Sequence, residues 1–232
     1  MLWLTQYFLV GLRMVIKNII KTNRFFHNRF IKVSFFCIMV KEVIDMCQRY
    51  RDGWIEVITG CMFAGKTEEL IRRVKKLQYA RKRVQVFQPI IDTRYSTIEI
   101  VSHAGNTIKS EKAGTAEELL RLVHAESDAI AIDEVQFFDE GIVEVLNQLA
   151  DQGKRVIVAG LDLDYRAKPF GVMPQLMACA EFVDKLSAVC VVCGASATRS
   201  YRLSEKTKDV ILLGAKETYE ARCRHCYIKG RL

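Results

Sequence analysis

Residues 60–67 read Gly-Cys-Met-Phe-Ala-Gly-Lys-Thr, which fits the pattern G-x-x-x-x-G-K-[ST]. The stretch before them, 54–59 (WIEVIT), is short and β-branched, so it reads as a strand. After them, Leu70, Val74 and Leu77 fall on one helical stripe, which predicts a helix over 66–83. A strand feeding the loop and a helix leaving it is the context in which this pattern binds phosphate. Glycines let the backbone turn tightly, so that successive N–H groups point at phosphate oxygens. The helix N-terminus adds its partial positive charge. In this chemistry Lys66 reaches the terminal phosphates and the Thr67 hydroxyl ligates Mg²⁺.

Outward from the loop, strand and helix signals alternate. Residues 84–88 (VQVFQ) read as a strand stopped by Pro89, and 115–124 as a helix with Thr115 and Glu118 at capping-box spacing. Residues 129–132 (AIAI) form an apolar strand, 140–152 a helix ending at Gly153, and 155–159 (RVIVA) another strand ended by Gly160. Apolar strands separated by helices predict an α/β fold, a parallel sheet covered on both faces. The expected organisation is a P-loop NTPase core over 53–185 and a small lobe over 186–232. No internal repeat is visible.

The AIAI strand runs into Asp133-Glu134. A carboxylate at that strand end joins the Mg²⁺ shell of a P-loop site, which assigns Asp133. Glu134 then suits a general base, with helix capping or a place in the magnesium shell as the alternative. The motif leaves open what Glu134 would deprotonate: a water gives an ATPase, a substrate hydroxyl a kinase.

Eight cysteines are present, and four of them form two C-x-x-C pairs, Cys190/Cys193 and Cys223/Cys226, 29 residues apart. Four thiolates in two knuckles make a closed tetrahedral zinc shell, which is structural and not catalytic. The separation exceeds the usual 15–20 residues, so an excursion lies between the knuckles. His225, inside the second knuckle, would leave one Cys spare and is read as solvent-facing. Paired C-x-x-C without a clean signal peptide points to metal in a reducing compartment, the cytoplasm.

The net charge of +8 invites a nucleic-acid reading, but residues 1–52 carry +6 of it and the body only +2. The 66–83 helix does collect Arg72, Arg73, Lys75, Lys76, Arg81, Lys82 and Arg83. That would be the basic patch of a zinc-ribbon, nucleic-acid-stimulated ATPase, the runner-up function. The bland alternative is a solvated face or a subunit contact. No apolar run approaches the ~20 residues of a spanning helix. The first forty residues hold six of the 12 Phe and no Asp or Glu. Their apolar stretch precedes Arg13 and no small-residue cleavage site follows, which is not a signal peptide. An interfacial basic helix, a transit peptide, a structured extension, or a segment outside the native enzyme with the start at Met39 or Met46 all remain open.

The loop GCMFAGKT, DTRYS at 92–96, DEVQFF at 133–138, GLDLDYRAKPFG at 160–171, and the cysteine pairs with an intervening Leu-Gly and Tyr219 together resemble the zinc-containing, type II thymidine kinases. The resemblance spans residues 53–228 and implies ATP-dependent phosphorylation of the thymidine 5′-hydroxyl in nucleotide salvage, with deoxyuridine as a further acceptor. It makes Glu134 the proton acceptor for a hydroxyl. It implies an ATP site of Gly60, Cys61, Met62, Phe63, Ala64, Gly65, Lys66, Thr67, Asp92, Thr93, Arg94, Asp133, Glu134, Val135 and Gln136. Magnesium is then held by Thr67 and Asp133. Met62, Phe137, Leu161, Tyr165 and Phe170 match positions around the nucleoside. Val210, Ile211, Leu212, Leu213, Gly214 and Tyr219 match a lasso-like lid loop, anchored by the zinc lobe, that closes over thymidine and excludes water. Structural Zn²⁺, feedback binding of dTTP and a homotetramer are implied in the same way. Cys61 and Ala64 depart from the residues usual in that loop, Tyr165 stands where Phe is common, and residues 1–50 have no counterpart.

Overall fold

The computed structural model describes residues 53–90, 99–101, 107–203 and 218–230. The N-terminal extension, Asp92, Thr93 and Arg94, and residues 210–214 lie outside them. In chain order the elements begin with β1 (Trp54–Gly60), α1 (Lys66–Tyr79), β2 (Val84–Pro89), β3 (Glu99–Val101), β4 (Thr107–Lys109) and β5 (Glu111–Ala113). Then come α2 (Ala116–Leu122), β6 (Ala129–Ile132), a 3-10 turn (Val135–Phe137), α3 (Ile142–Asp151), β7 (Arg155–Gly160), α4 (Met173–Cys179) and β8 (Phe182–Leu186). The C-terminal stretch holds β9 (Ala188–Val189), β10 (Ser196–Ala197), β11 (Arg199–Arg202), β12 (Tyr219–Arg222) and α5 (Arg224–Lys229).

Six strands form one sheet in the order β5-β2-β6-β7-β1-β8, and every pairing in it is parallel. The parallel α/β expectation is met, and its physical reason is visible in the side chains. Ile55, Val57, Phe87, Ile130, Ile132, Val156 and Val158 point to one face and pack on α2, α3 and α4 through Leu119, Ile142, Leu146, Leu149, Met173 and Leu176. Ile58, Val86, Ala131, Ile157 and Ala159 point to the other, under Leu70, Ile71 and Val74 of α1. Strand side chains alternate between faces, so only apolar runs can serve both layers. Four two-residue to four-residue strands, β9 with β10 and β11 with β12, pair antiparallel around the cysteines.

Several boundaries differ from expectation. The helix predicted over 66–83 ends at Tyr79, and Arg81 takes a left-handed φ of 60° while the Lys82 N–H donates to the Leu77 carbonyl. That is a helix terminus closed without glycine. Of the expected capping box, Thr115 Oγ1 accepts from the Glu118 N–H at 3.1 Å, but the Glu118 carboxylate turns to the Gly114 N–H at 2.7 Å. The helix expected over 140–152 spans Ile142–Asp151, with Gly153 left-handed behind it. The strand β8 continues the sheet past β1 and was not expected from the sequence.

Candidate active site

The sheet topology places the site. β1, β6 and β7 all end at the same edge, and their C-terminal residues run directly into 60–67, Asp133 and 160–171. Gly60 has φ 141°, and a Cβ there would strike the Leu186 carbonyl, so the loop can leave the strand only through glycine. Phe63 and Gly65 also take positive φ, 66° and 82°, which coils the loop before α1 begins. The Lys66 ammonium is buried and donates to the Cys61 carbonyl at 3.0 Å, across the mouth of its own loop. The Thr67 hydroxyl donates to Asp133 Oδ2 at 3.0 Å. Residues 66 positions apart in sequence, each assigned to magnesium, are therefore in direct contact.

Asp133 is 3% exposed, and its Oδ1 accepts the Glu134 N–H at 3.0 Å. Burial, with the Glu134 charge beside it, pushes the Asp133 carboxyl up to about 7. A divalent cation at that carboxylate would reverse the balance, since the ion then dominates the local charge. Thr67 and Asp133 fit a hard cation that takes oxygen ligands. Glu134 sits in the left-handed region, φ 53° and ψ 39°, between β6 and the 3-10 turn. Such a conformation is uncommon for a non-glycine residue and is held in place by its surroundings. Gln136 supplies that hold: its Nε2 donates to Glu134 Oε2 at 2.5 Å, and its Oε1 accepts the Leu161 N–H at 3.2 Å.

Gln136 and Val135 turn their side chains inward, Gln136 3% exposed and Val135 within the core. Any approach of these two to a nucleotide would be by backbone. A Cβ at Gly171 would meet the Gln136 carbonyl, so the 160–171 loop closes directly over the turn. Asp164 shapes that loop by accepting the N–H groups of Arg166 (2.8 Å) and Lys168 (2.9 Å). Sequence reasoning missed Gln136 as a brace for Glu134 and Asp164 as the loop's organiser. An Asp, whose carboxylate can accept a backbone N–H two residues on, was a readable turn signal for the second.

The aromatic residues gather there too. Phe137 and Phe170 meet edge to face, with centroids 5.5 Å apart. Tyr165 is half-buried, lies under the Arg202 guanidinium at 4.9 Å, and its carbonyl accepts the Tyr227 hydroxyl at 2.7 Å. Met62, Phe63, Ala64 and Leu161 are half-buried around the same edge. Tyr219 is 7% exposed on β12, opposite Arg202, and so belongs to the packing of the cysteine strands as well as to the expected lid.

Cys190, Cys193, Cys223 and Cys226 converge, with all four sulfurs within 4.8 Å of one another. Cys193 Sγ and Cys223 Sγ are 3.7 Å apart. A tetrahedron of Zn–S bonds of ~2.3 Å sets its sulfurs ~3.8 Å apart, so the donor set fits a metal of that size. Cys223 also caps α5, its sulfur accepting the Cys226 N–H at 3.4 Å. His225 is exposed on α5, as expected of a residue that is not a ligand. The cysteine cluster is continuous with the phosphate loop: Cys61, Phe63 and Ala64 share one apolar cluster with Cys190, Ala197, Ala221 and Cys226.

This fold and site define a P-loop phosphotransferase, with a left-handed acidic residue and an aromatic loop beside its phosphate-loop motif. The chain belongs to the thymidine kinase family, whose model matches residues 53–227, and it is a nucleoside kinase. Among solved structures, the X-ray structure of the ATPase DotB from Legionella pneumophila is similar over 58% of this chain, at 17% identity and a TM-score of 0.36. The match takes in 37% of that ATPase's own length. Among the described residues no helix is long and apolar enough to cross a membrane.

Proposed function

We propose that this kinase transfers the γ-phosphoryl group of ATP to the 5′-hydroxyl of thymidine, with deoxyuridine as a second acceptor. The observation that carries the reading is the Thr67–Asp133 hydrogen bond with Glu134 held beside it by Gln136. The N–H groups of 60–67 and the Lys66 ammonium hold the phosphates. Thr67 and Asp133 would hold Mg²⁺, which would neutralise charge on the phosphates. The Glu134 carboxylate accepts the 5′-hydroxyl proton as that oxygen bonds to the γ-phosphorus. The bond from the γ-phosphorus to the bridging oxygen breaks, and ADP leaves with the electron pair. Asp92, Thr93 and Arg94 serve the phosphate side. Phe137, Leu161, Tyr165 and Phe170 serve the base and sugar, under a lid of residues 210–214 and Tyr219.

The four cysteines hold structural zinc in this reading, and residues 186–232 act as a lobe that anchors the lid of a 53–185 core. A cytoplasmic homotetramer inhibited by dTTP is part of the same proposal, supported only by the resemblance to the family. Against a nucleic-acid-stimulated ATPase stands the state of the helix cations. Arg73 is half-buried against Glu56, Glu69 and Asp184, Arg72 pairs with Glu69, and Lys82 and Arg83 pair with Asp128. Four of the seven basic residues of the expected patch are thus neutralised within the chain. ADP release in the presence of thymidine, set beside ADP release with single-stranded DNA, tests the reading. Release that follows DNA and ignores thymidine overturns it.

A further inference from the structure

The phosphate loop is tied to the cysteine strands by two consecutive residues. The Met62 N–H donates to the Ser200 hydroxyl at 3.0 Å, and the Cys61 thiol donates to the Ala197 carbonyl at 3.2 Å. Ser200 is 4% exposed, which shields its hydroxyl from solvent. Burial raises the Cys61 thiol above its ordinary value, which keeps the proton that this donor needs. Both acceptors sit on strands locked to the knuckles. Ala197 of β10 pairs with Ala188 of β9, whose next residue but one is Cys190. Ser200 of β11 pairs with Ala221 of β12, two residues before Cys223, and the Ala221 carbonyl accepts the Val191 N–H at 3.1 Å.

The same two residues adjoin the lysine of the phosphate-loop motif. The Cys61 carbonyl holds the Lys66 ammonium, and the residue after Met62, Phe63, is left-handed. A non-glycine residue stays in that region only where its neighbours restrain it. The restraint immediately upstream is the Met62 N–H, and its acceptor comes from the cysteine strands and not from the sheet.

We propose that Ser200 is a positioning residue for the phosphate loop, and that through its hydroxyl the occupancy of the four-cysteine site sets nucleotide affinity. This rests on the reading that residues 60–67 hold a nucleotide phosphate, but not on the identity of the acceptor nucleoside. By linkage, if an ordered metal site tightens nucleotide binding, bound nucleotide must tighten metal retention by the same factor.

The test uses the full chain with its zinc, ADP as the probe, and the variants Ser200→Ala, Ser200→Thr and Ser200→Cys. ADP affinity is measured by calorimetry, and zinc retention by competition with a chelator, with and without ADP. The net worth of one such hydrogen bond predicts about fivefold to tenfold weaker ADP binding for Ser200→Ala. Ser200→Thr keeps the hydroxyl and stays near the original affinity. ADP strengthens zinc retention in the unaltered chain, and Ser200→Ala loses that strengthening. Ser200→Cys keeps the side-chain shape with only a weak acceptor and behaves like alanine, which keeps the test decisive if the alanine variant does not fold. Unchanged ADP affinity in Ser200→Ala overturns the proposal. So does a loss in all three variants that follows their melting temperatures, because a packing role alone predicts that. A chain that shows the ADP–zinc linkage but no thymidine-dependent ADP release keeps this inference and sinks the thymidine assignment instead.

Discussion

Glu56 and Asp133 are both buried carboxylates of the same sheet, and the protein treats them in opposite ways. Burial alone would raise the Glu56 carboxyl, but Arg155 (2.5 Å), Trp54 (2.6 Å) and Arg73 (2.7 Å) all donate to it and hold it below the ordinary range. Asp133 has a hydroxyl and one N–H as donors, a second carboxylate beside it, and a carboxyl pushed up to about 7. Glu56 lies near the start of β1, with Arg73 of α1 over it. Asp133 lies past the end of β6, at the edge where the phosphate loop is. One carboxylate is complete within the chain. The other has fewer donors and a like charge beside it, and under the proposed function a cation would complete it. A fold can hold a buried charge cheaply wherever donors surround it, and it leaves charge incompletely answered where a ligand is to bind.

The sharpest way to break this contrast is at Glu134. Glu134→Gln should keep nucleotide and thymidine binding and lose about 10²–10⁴-fold in kcat, the usual contribution of a positioned base. Retention of the original kcat would remove Glu134 from the chemistry. Next in size is Glu56→Ala, which leaves Arg73 and Arg155 without their buried partner. It should cost about 3 kcal/mol in denaturant unfolding while kcat of the folded enzyme stays put. A large fall in kcat at full stability would show that the two regions are not separate.

A smaller effect concerns Tyr219. If residues near it close over the nucleoside, Tyr219→Ala raises the thymidine KM about tenfold, a loss of about 1.4 kcal/mol of contact, and leaves the ATP KM nearly alone. Its burial on β12 allows the other outcome, a lower melting temperature with both KM values unchanged, which would confine Tyr219 to packing. Smaller still is the acid response of the Arg73 cluster. Hydrogen bonds from Arg72, and then from Arg73, hold the Glu69 carboxyl down to about 2 against an ordinary 4.5. A depressed carboxyl contributes stability above its unfolded value and loses it as pH falls toward the folded one. The melting-temperature gap between the unaltered chain and Glu69→Gln should therefore be full above pH 4.5 and close between 4.5 and about 2. Because the pair is partly exposed, the gap is small and shrinks further in salt. A gap that widens on acidification would refute the assignment.

What could be read from the chain divides along the same line between periodic and non-periodic structure. The strands at 129–132 and 155–159, the phosphate loop and the two cysteine pairs follow fixed spacings, and the structure has them where the spacing put them. The strand β8 was invisible because FVDKL alternates neither with period 2 nor as an apolar run; its first four residues are exposed on both faces. The end of α1 was invisible because Ala80 and Arg81 carry no stop signal, and the left-handed turn there is imposed by context. In the site, spacing could name Asp133 and Glu134 but not Gln136 as their brace. That role depends on a 3-10 turn and on the Leu161 N–H, 25 positions downstream. Ser200 was likewise unreadable, since nothing local says that a serine on a two-stranded ribbon meets a loop 138 positions earlier.

The position of β1 between β7 and β8 has a consequence for how the enzyme is made. Thr59 meets Gly160 101 positions later, and Ile55 meets Glu181 126 positions later. A ribosome adding ~5–20 residues per second leaves β1 without neighbours for roughly 5–20 s after its own synthesis. Through that interval an apolar strand and its glycine loop are solvent-exposed on the nascent chain, and the ties from Ala197 and Ser200 come later still. The earliest motif to be translated is thus among the last to take shape. Slow codons or a chaperone between residues 60 and 200 would change the yield of active enzyme without altering a single contact in it.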